Sequence, residues 1–321
     1  MSADPRSTSL LIVGGTKAGK THYGGQLLRR LEAKKSRLRI LGAPSDLTPF
    51  QEVLDRLAIG RSAPHTPTSF YRESVWHVRS EDQDYQTQLV WPDYGGEQIE
   101  DIVRKRQVDE RWVQRIRESS GWLFFVRLST ISVPEDVLVR PRVLERMRSG
   151  SEDASSQTEG TLAEQERIGP AEESDRPDVA LASRLTLSTQ AGLVELLQAL
   201  LFVKQVGSNA QLRQPPLVVV LSCWDEIATT KGNSAWDDPA TVLNKRLPLL
   251  SQFIESTWEE DRVEVMGLSA LGKTLADDVS DEAFMDNGPE RQGWCVCKGG
   301  TQSDDLTLPV IMLMEKTGRE S

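Results

Sequence analysis

A chain of 321 residues with a net charge of −10, 38% of it hydrophobic, is long enough to bury a sizeable core in one large domain or two small ones. No apolar run approaches the ~20 residues of a membrane span, and the polar start shows no signal-peptide pattern. The three cysteines lack the spacing of a zinc site or a disulfide framework, and no basic stripe with interleaved aromatic residues indicates nucleic-acid binding. We therefore expect a cytoplasmic protein with neither membrane nor nucleic-acid partners.

Strand and helix patterns alternate along the chain. Runs of β-branched and aromatic residues predict strands, and apolar residues three and four positions apart predict helices. In chain order, the sequence predicts a strand over 9–13, a helix over 23–35, a short strand over 37–41, a helix over 48–59, a hairpin of strands over 70–78 and 85–91, an amphipathic helix over 98–118, a strand over 122–126, a helix over 188–206, a strand over 217–221, a helix over 240–257, a strand over 263–267 and a helix over 306–316. We expect an α/β three-layer sandwich with a mainly parallel sheet, to which the hairpin adds one antiparallel strand.

One acidic segment interrupts this alternation. Residues 151–178 hold nine carboxylates and two arginines, and thus carry −7 of the net charge of −10. Residues 149–178 also contain too few aliphatic side chains to offset the entropy of ordering the chain. We predict a single domain over residues 1–321, with a disordered acidic insertion at 149–178 and a C-terminal extension at 285–321 that packs on the domain. We interpret the insertion as a solvated linker, with a regulated docking tail as the alternative.

The sequence GGTKAGKT at residues 14–21 has the form Gly-x-x-x-x-Gly-Lys-Thr of a phosphate-binding loop. It follows the first apolar strand and precedes a helix pattern, which argues against a chance glycine-rich turn. In that setting backbone N–H groups cradle a polyphosphate, Lys20 reaches its β- and γ-phosphates, and the Thr21 hydroxyl holds Mg²⁺. The predicted nucleotide-binding residues of this loop are Gly14, Gly15, Thr16, Lys17, Ala18, Gly19, Lys20 and Thr21.

Asp93 and Gly96 stand at the end of the second hairpin strand, as Asp-x-x-Gly does in the switch of Ras-like GTPases, which this part of the chain resembles. The resemblance implies that Asp93 reaches Mg²⁺ through water and that the Gly96 N–H senses the γ-phosphate. It also implies a threonine before the hairpin that binds Mg²⁺ and the γ-phosphate. Thr66 is favoured because Ras-like switches leave a few residues before the strand; Thr68 is the alternative, and both also suit a turn.

Ser222, Cys223, Trp224 and Asp225 follow a fully apolar strand, at the place of the guanine-reading motif Asn-Lys-x-Asp. The resemblance implies that the Asp225 carboxylate accepts hydrogen bonds from the guanine ring N–H and exocyclic amine, which excludes adenine. Ser222 and Cys223 stand where the loop-bracing Asn and the base-stacking Lys would be, so both of those groups are absent. The alternative makes Asp225 a helix N-cap.

After the next strand, Ser269 and Ala270 resemble the Ser-Ala-Lys loop that contacts guanine through its backbone. In this order, the motifs resemble a Ras-like P-loop GTPase over residues 9–271. Gly-Lys-Thr, Asp-x-x-Gly-Glu and Ser-Cys-Trp-Asp, with the stretch 293–309, are most similar to the prokaryotic double-GTPase family. That resemblance implies a molecular switch with GTP, GDP and Mg²⁺ as ligands. It also implies a role in bacterial conflict or defence beside a protein partner, either a second GTPase or an effector.

Two residues after the switch glycine are candidates for hydrolysis. Glu97 stands directly after that glycine, where Ras-like GTPases carry the water-orienting Gln, and Gln98 comes next. Glu97 either orients water, with its charge compensated near the γ-phosphate, or stabilises the N-terminus of the next helix. Arg61, Arg72 and Arg127 are candidates for an internal arginine finger, although a solvated surface position is the default for each. We predict slow intrinsic turnover that a partner stimulates.

Two other functions stay open. A pseudo-GTPase scaffold that binds nucleotide without turnover would suit Glu97 and the altered base motif. An ATPase or a small-molecule kinase would suit the phosphate loop alone. The position of Asp225 and the absence of an arginine-rich lid after the loop argue against an ATPase or kinase.

Overall fold

The computed structural model describes residues 8–33, 36–63, 72–82, 85–93, 96–131, 189–207, 210–228 and 237–318. The predicted acidic insertion at 149–178 and the two candidate switch threonines, Thr66 and Thr68, lie outside these ranges. Within them, no helix combines the length and the apolar character needed to cross a membrane.

The described strands are β1 (Ser9–Gly14), β2 (Leu38–Ile40), β3 (Arg72–Ser80), β4 (Gln86–Asp93), β5 (Gly121–Arg127), β6 (Leu217–Ser222), β7 (Val263–Ser269), β8 (Trp294–Val296) and β9 (Gln302–Ser303). They form one sheet in the order β2-β3-β4-β1-β5-β6-β7-β8-β9. Strands β4, β1, β5, β6 and β7 run parallel, and β3 is antiparallel to β4. The predicted α/β fold, with a mainly parallel sheet and an antiparallel hairpin strand, is therefore confirmed.

The structure adds a second antiparallel strand at the far edge of the sheet. β8 pairs with β7, and the two-residue β9 lies outside it. Neither strand is long enough to show a periodic pattern, so the sequence does not predict them. At the opposite edge β2 has three residues, and its Arg39 forms an ion pair with Glu81. Both edges of the sheet thus end in very short strands.

The described α-helices are α1 (Lys20–Glu32), α2 (Thr48–Ala58), α3 (Gly96–Lys105), α4 (Glu110–Glu118), α5 (Gln190–Lys204), α6 (Trp224–Ala228), α7 (Pro239–Arg246), α8 (Pro248–Thr257), α9 (Glu282–Asp286) and α10 (Leu308–Gly318). Two segments predicted as single helices are each divided. The helix predicted over 98–118 breaks where Arg106 adopts a left-handed φ of 51°, and the Asp109 carboxylate then caps α4. The helix predicted over 240–257 breaks at Pro248, because proline lacks the N–H that a continuing helix needs.

Two apolar clusters, one on each face of the sheet, hold the helices. In β1, Leu11 and Val13 belong to the cluster shared with α3, α4, α5, α7 and α8. Leu10 and Ile12 point to the other face, where the cluster includes α1, α2 and α10. Because side chains alternate along a strand and both faces are covered, the central strands read as continuous apolar runs.

The C-terminal helix α10 lies over the same face of the sheet as α1. A Cβ on Gly121 of β5 would come within 2.9 Å of Leu313, so the helix packs directly on the strand. The Tyr23 hydroxyl of α1 donates a hydrogen bond to the Leu306 carbonyl at 2.8 Å. The boundary of the predicted C-terminal extension at 285–321 stays a prediction.

The parallel strands bring residues that are distant in sequence to one edge of the sheet. Carboxyl ends of parallel strands meet at the same edge, so the loop after β1 lies beside the ends of β4, β5, β6 and β7. Asp93, Arg127, Ser222 and Ser269 are the last residues of those four strands. This edge carries the candidate site.

Candidate functional site

A cavity of about 270 Å³ opens at the carboxyl edge of the parallel strands. Its walls are the loop between β1 and α1, the start of α2 with residues 62–63, and the segments that follow β5, β6 and β7. The predicted binding residues on these walls are Thr16, Lys17, Ala18, Gly19, Lys20, Thr21, Ser222, Asp225 and Ala270. The phosphate-loop motif and the base motif therefore face one cavity.

Left-handed backbone at Lys17 (φ 60°) and Gly19 (φ 77°) shapes the loop between β1 and α1. A Cβ on Gly19 would approach Cys223 Sγ and Ser222 Cβ no closer than 3.7 Å, so the backbone conformation, not lack of space, favours glycine. Gly19 is also the N-cap of α1, and its carbonyl accepts the Tyr23 N–H at 3.0 Å. The first turn of α1 holds no acidic residue, so the positive end of the helix dipole carries no carboxylate of its own.

The Lys20 ammonium lies inside this loop. Its Nζ donates hydrogen bonds to the carbonyl oxygens of Gly14 at 2.8 Å and Gly15 at 2.9 Å. Both of these carbonyl partners are neutral, and they help to orient the ammonium within the loop. An anion entering the loop would meet an oriented cation together with the N-terminus of α1.

Thr21 and Asp93 are two of the predicted magnesium residues; Thr21 carries a hydroxyl, an oxygen donor of the kind that Mg²⁺ prefers, and the side chain of Asp93 lies outside what the structure describes. Thr21 lies in the first turn of α1 and lines the cavity. The register of β1 and β4 pairs Leu11 with Val90, each three residues before the last residue of its strand, which is Gly14 in β1 and Asp93 in β4. The described ranges hold no cluster of three or more His, Cys, Asp or Glu side chains that forms a metal site alone. The Thr21 hydroxyl is thus the described side chain among the predicted magnesium residues, and it fits a Mg²⁺ ion that takes most of its ligands from phosphate and water.

Asp225 lies inside α6, and two hydroxyls hold its carboxylate. Oδ1 accepts a hydrogen bond from Ser269 Oγ at 2.6 Å, and Oδ2 accepts one from Thr274 Oγ1 at 3.3 Å. Ser269 is fully buried, whereas Thr274 is exposed and lines the cavity. One side of the carboxylate is thus fixed, and the other can exchange its partner for a ligand. A helix N-cap would instead accept hydrogen bonds from backbone N–H groups.

Thr274 is a site residue that the sequence reasoning missed. It lies in a loop without strand or helix, beyond the Ser269-Ala270 motif, and no periodic pattern marks it. Only its approach to Asp225 in space reveals it.

The first three residues of the predicted base motif, Ser222, Cys223 and Trp224, have different positions relative to the cavity. Ser222 is 3% exposed, and its Oγ has no hydrogen-bond partner in the part of the chain that the structure describes. Cys223 lines the cavity, and burial raises the pKa of its thiol to about 12, so the thiol is neutral at physiological pH. Trp224 is fully buried, and a Cβ on Gly267 would approach its ring to 2.5 Å. Trp224 therefore anchors α6 in the core and does not form part of the cavity wall.

The predicted switch after β4 joins the site through α3. Gly96 is the first residue of α3, followed by Glu97 and the half-buried Gln98. One turn later, Glu100 Oε1 accepts a hydrogen bond from Thr16 Oγ1 at 3.4 Å. The phosphate loop therefore contacts the helix that follows the predicted switch, while the roles of Glu97 and Gln98 stay predictions.

Residues 60–63, which lead toward Thr66, are held by two other parts of the site. The Ala63 N–H donates to His22 Nε2 of α1 at 3.1 Å. The Ser62 N–H donates to the carbonyl of Ala276 at 2.8 Å. The segment that leads into the first predicted switch is thereby attached both to α1 and to the loop beside Asp225.

The candidate arginines occupy different places. The Arg127 side chain is 28% exposed, lines the cavity and forms an ion pair with Glu226. Arg61 donates its Nε to Ser280 Oγ at 2.9 Å and does not line the cavity. The side chain of Arg72 lies outside what the structure describes. Of the two described side chains, Arg127 is thus the one at the site.

Comparison with known proteins identifies one family. A family model described as Double-GTPase 1 matches residues 11–313. The S. cerevisiae Ski7 GTPase-like domain is similar in two solved structures, one bound to GTP (13% identity) and one bound to GDP and inorganic phosphate (14% identity), each with a TM-score of 0.33. The matches cover 86% and 88% of this chain but 46% and 48% of those chains, so this chain spans about half their length. No curated protein matches.

Proposed function

The chain belongs to the double-GTPase 1 family, and on that basis we propose that it is a guanine-nucleotide-binding molecular switch that hydrolyses GTP slowly until a partner stimulates it. One observation carries the proposal: Lys20 and Asp225 line the same cavity. A cation for the phosphates and a pair of acceptor oxygens for a purine edge are what a guanine nucleotide requires.

The proposed roles follow the walls of the cavity. The loop at 14–19 and Lys20 hold the phosphates, and the Asp225 carboxylate with the backbone at Ser269 and Ala270 holds the base. Thr21, Asp93 and Thr66 bind Mg²⁺, which when bound neutralises charge on the phosphates. The Gly96 N–H responds to the γ-phosphate, so the segments around residues 60–70 and 93–100 order in the GTP state and relax after hydrolysis.

Titration of the full chain with GTP, GDP and ATP in the presence of Mg²⁺ tests this proposal. We expect GTP and GDP to bind roughly 100-fold tighter than ATP, because an adenine would leave the Asp225 acceptors unpaired. Binding is measured by competition of unlabelled nucleotides against a fluorescent one, so that the label does not affect the comparison. Equal affinity for GTP and ATP would contradict the guanine assignment and favour the ATPase alternative.

The isolated chain is expected to hydrolyse bound GTP at about 10⁻⁴–10⁻² s⁻¹, because Arg127 is already paired with Glu226 rather than placed on a phosphoryl group. If Glu97 orients the attacking water, Glu97→Ala lowers this rate at least about tenfold. Single-turnover phosphate release measures both the wild-type rate and the Glu97→Ala rate. Glu110→Ala, which removes a first-turn carboxylate from α4 outside the cavity, is the control. Turnover above about 1 s⁻¹ would contradict partner dependence, and an unchanged Glu97→Ala rate would leave Glu97 as a helix-end residue.

A pseudo-GTPase scaffold is the second candidate function. The neutral Cys223 thiol favours it, as does the Ser222 hydroxyl, which has no hydrogen-bond partner among the described residues, because neither group replaces the absent Asn and Lys of the base motif. Bound nucleotide with no phosphate release in the same assay would support it. For either function we propose a cytoplasmic role in bacterial conflict or defence beside a second GTPase or an effector.

A further inference from the structure

Arg127, the last residue of β5, joins several parts of the cavity wall. Its Nε donates to Glu226 Oε2 at 3.2 Å and to Ser129 Oγ at 3.2 Å, and its Nη2 donates to Glu226 Oε1. Its Nη1 donates to the Lys17 carbonyl at 3.3 Å. Ser129 Oγ in turn donates to Glu226 Oε2 at 2.5 Å. The guanidinium is therefore held on several sides in one orientation.

Two of the three residues that accept hydrogen bonds from Arg127 belong to the two halves of the proposed nucleotide site. Lys17 lies in the phosphate loop, at a position with left-handed backbone. Glu226 directly follows Asp225 in α6. One side chain thus fixes the loop that receives phosphate relative to the helix that carries the base-reading carboxylate.

The ion pair between Arg127 and Glu226 is partly shielded from solvent, which helps to keep the guanidinium in this orientation. The side chains of Arg127 and Glu226 are 28% and 21% exposed, and planar guanidinium–carboxylate pairs have a fixed orientation. The hydrogen bond to Glu226 also raises the pKa of Arg127, which keeps the guanidinium charged. At the neighbouring strand end, Cys223 offers only a neutral thiol and no cationic donor.

We infer that Arg127 is a positioning residue: from β5 it braces the Lys17 carbonyl against α6, so that Lys20 and Asp225 engage the same nucleotide together. It supplies from a neighbouring strand the cationic side chain that the base motif lacks at Cys223. The inference rests on the proposed function and adds to it a residue that determines how long nucleotide stays bound.

Nucleotide dissociation from Arg127→Met, Arg127→Lys and Arg115→Met tests the inference. GDP release from Arg127→Met is expected to be about 10- to 100-fold faster than from wild type, because a charge-assisted hydrogen bond to the loop is lost. Arg127→Lys keeps one charged donor and is expected to fall between the two. Arg115 is the matched control, because it is similarly exposed at 33%, pairs with Glu73 at 2.6 Å and lies outside the cavity.

A charge exchange separates bracing from ion pairing. The double variant Arg127→Glu with Glu226→Arg restores an ion pair, but a carboxylate at 127 cannot donate to the Lys17 carbonyl. We expect its thermal stability to approach that of wild type while GDP release stays fast. Wild-type release from the exchanged variant would mean that only the ion pair matters, and would overturn the inference.

Three further results would count against the inference. If Arg127→Met released GDP at the wild-type rate, the bracing role would be wrong while the guanine-switch proposal stood. If the single-turnover hydrolysis rate of Arg127→Met fell more than 100-fold while its GDP release rate stayed at the wild-type value, Arg127 would contact the phosphoryl group, and the positioning role would be overturned. If folded wild-type protein bound no guanine nucleotide, the proposed function would fail first, and this inference with it.

Discussion

Lys20→Ala is expected to lower the affinity for GTP and GDP at least about 100-fold, a loss of roughly 3 kcal/mol. In the structure the ammonium makes two hydrogen bonds to the neutral carbonyls of Gly14 and Gly15. A polyphosphate in the loop offers it charged acceptors instead, and hydrogen bonds between two charged groups are stronger. The variant loses the hydrogen bonds to phosphate. It also loses the ammonium that the carbonyls of Gly14 and Gly15 orient. Equilibrium titration with fluorescent GDP measures the change.

A lysine remote from the cavity provides the control for this variant. Lys245 is exposed near the end of α7, so Lys245→Ala removes the same charge without touching the loop. Its nucleotide affinity is expected to stay within about twofold of wild type. Lys20→Ala binding that matched this control would show that the loop does not receive phosphate.

Asp225→Asn is expected to change the base preference from guanine to xanthine. Its affinity for GTP should fall about 100-fold, and its affinity for xanthosine triphosphate should rise above that of wild type. The bonds in the structure show how. Ser269 Oγ donates to Oδ1, so an asparagine keeps its carbonyl oxygen there and turns its NH₂ toward Thr274 and the cavity. That NH₂ repels the guanine amine and suits the xanthine carbonyl. Competition of the two triphosphates against fluorescent GDP measures the exchange.

A capping aspartate is the matched control for this exchange. Asp238 accepts the Thr241 N–H at 3.0 Å as the N-cap of α7, so Asp238→Asn changes a structural carboxylate in the same way. It should alter stability by about 1 kcal/mol or less and leave the nucleotide preference unchanged. If Asp225→Asn left the nucleotide preference unchanged, as expected for Asp238→Asn, Asp225 would be a structural residue and its assignment as the guanine-binding residue would be wrong.

The sequence predicts the central part of the fold well because its strands are buried on both faces. Continuous apolar runs such as 217–221 leave little alternative to a strand, and the phosphate-loop motif predicts both the loop and the helix after β1. Predictions weaken where a single backbone angle decides. The left-handed Arg106 divides one helix, and amphipathic spacing continues across the break, so the pattern does not reveal it.

The candidate site is predictable only where it lies in motifs. Lys20 and Asp225 have fixed spacing within short patterns, so the sequence alone is enough to select them. Thr274 and Glu226 reach the site through loop geometry and strand order, which a linear pattern does not contain. Arg127 is one of three arginines that nothing in the sequence separates, and the strand order of the sheet separates it from Arg61.

The very short strands at the two edges of the sheet limit how this protein can associate with others. An edge strand offers unpaired backbone groups that another chain can join by β-augmentation. Here β2 offers three residues and β9 two, and ion pairs of Arg37 with Asp82 and Arg39 with Glu81 place charge at the β2 edge. Intermolecular growth of the sheet therefore has few hydrogen bonds to gain at either end. The proposed protein partner is therefore expected to dock on helices or loops and not to extend the sheet.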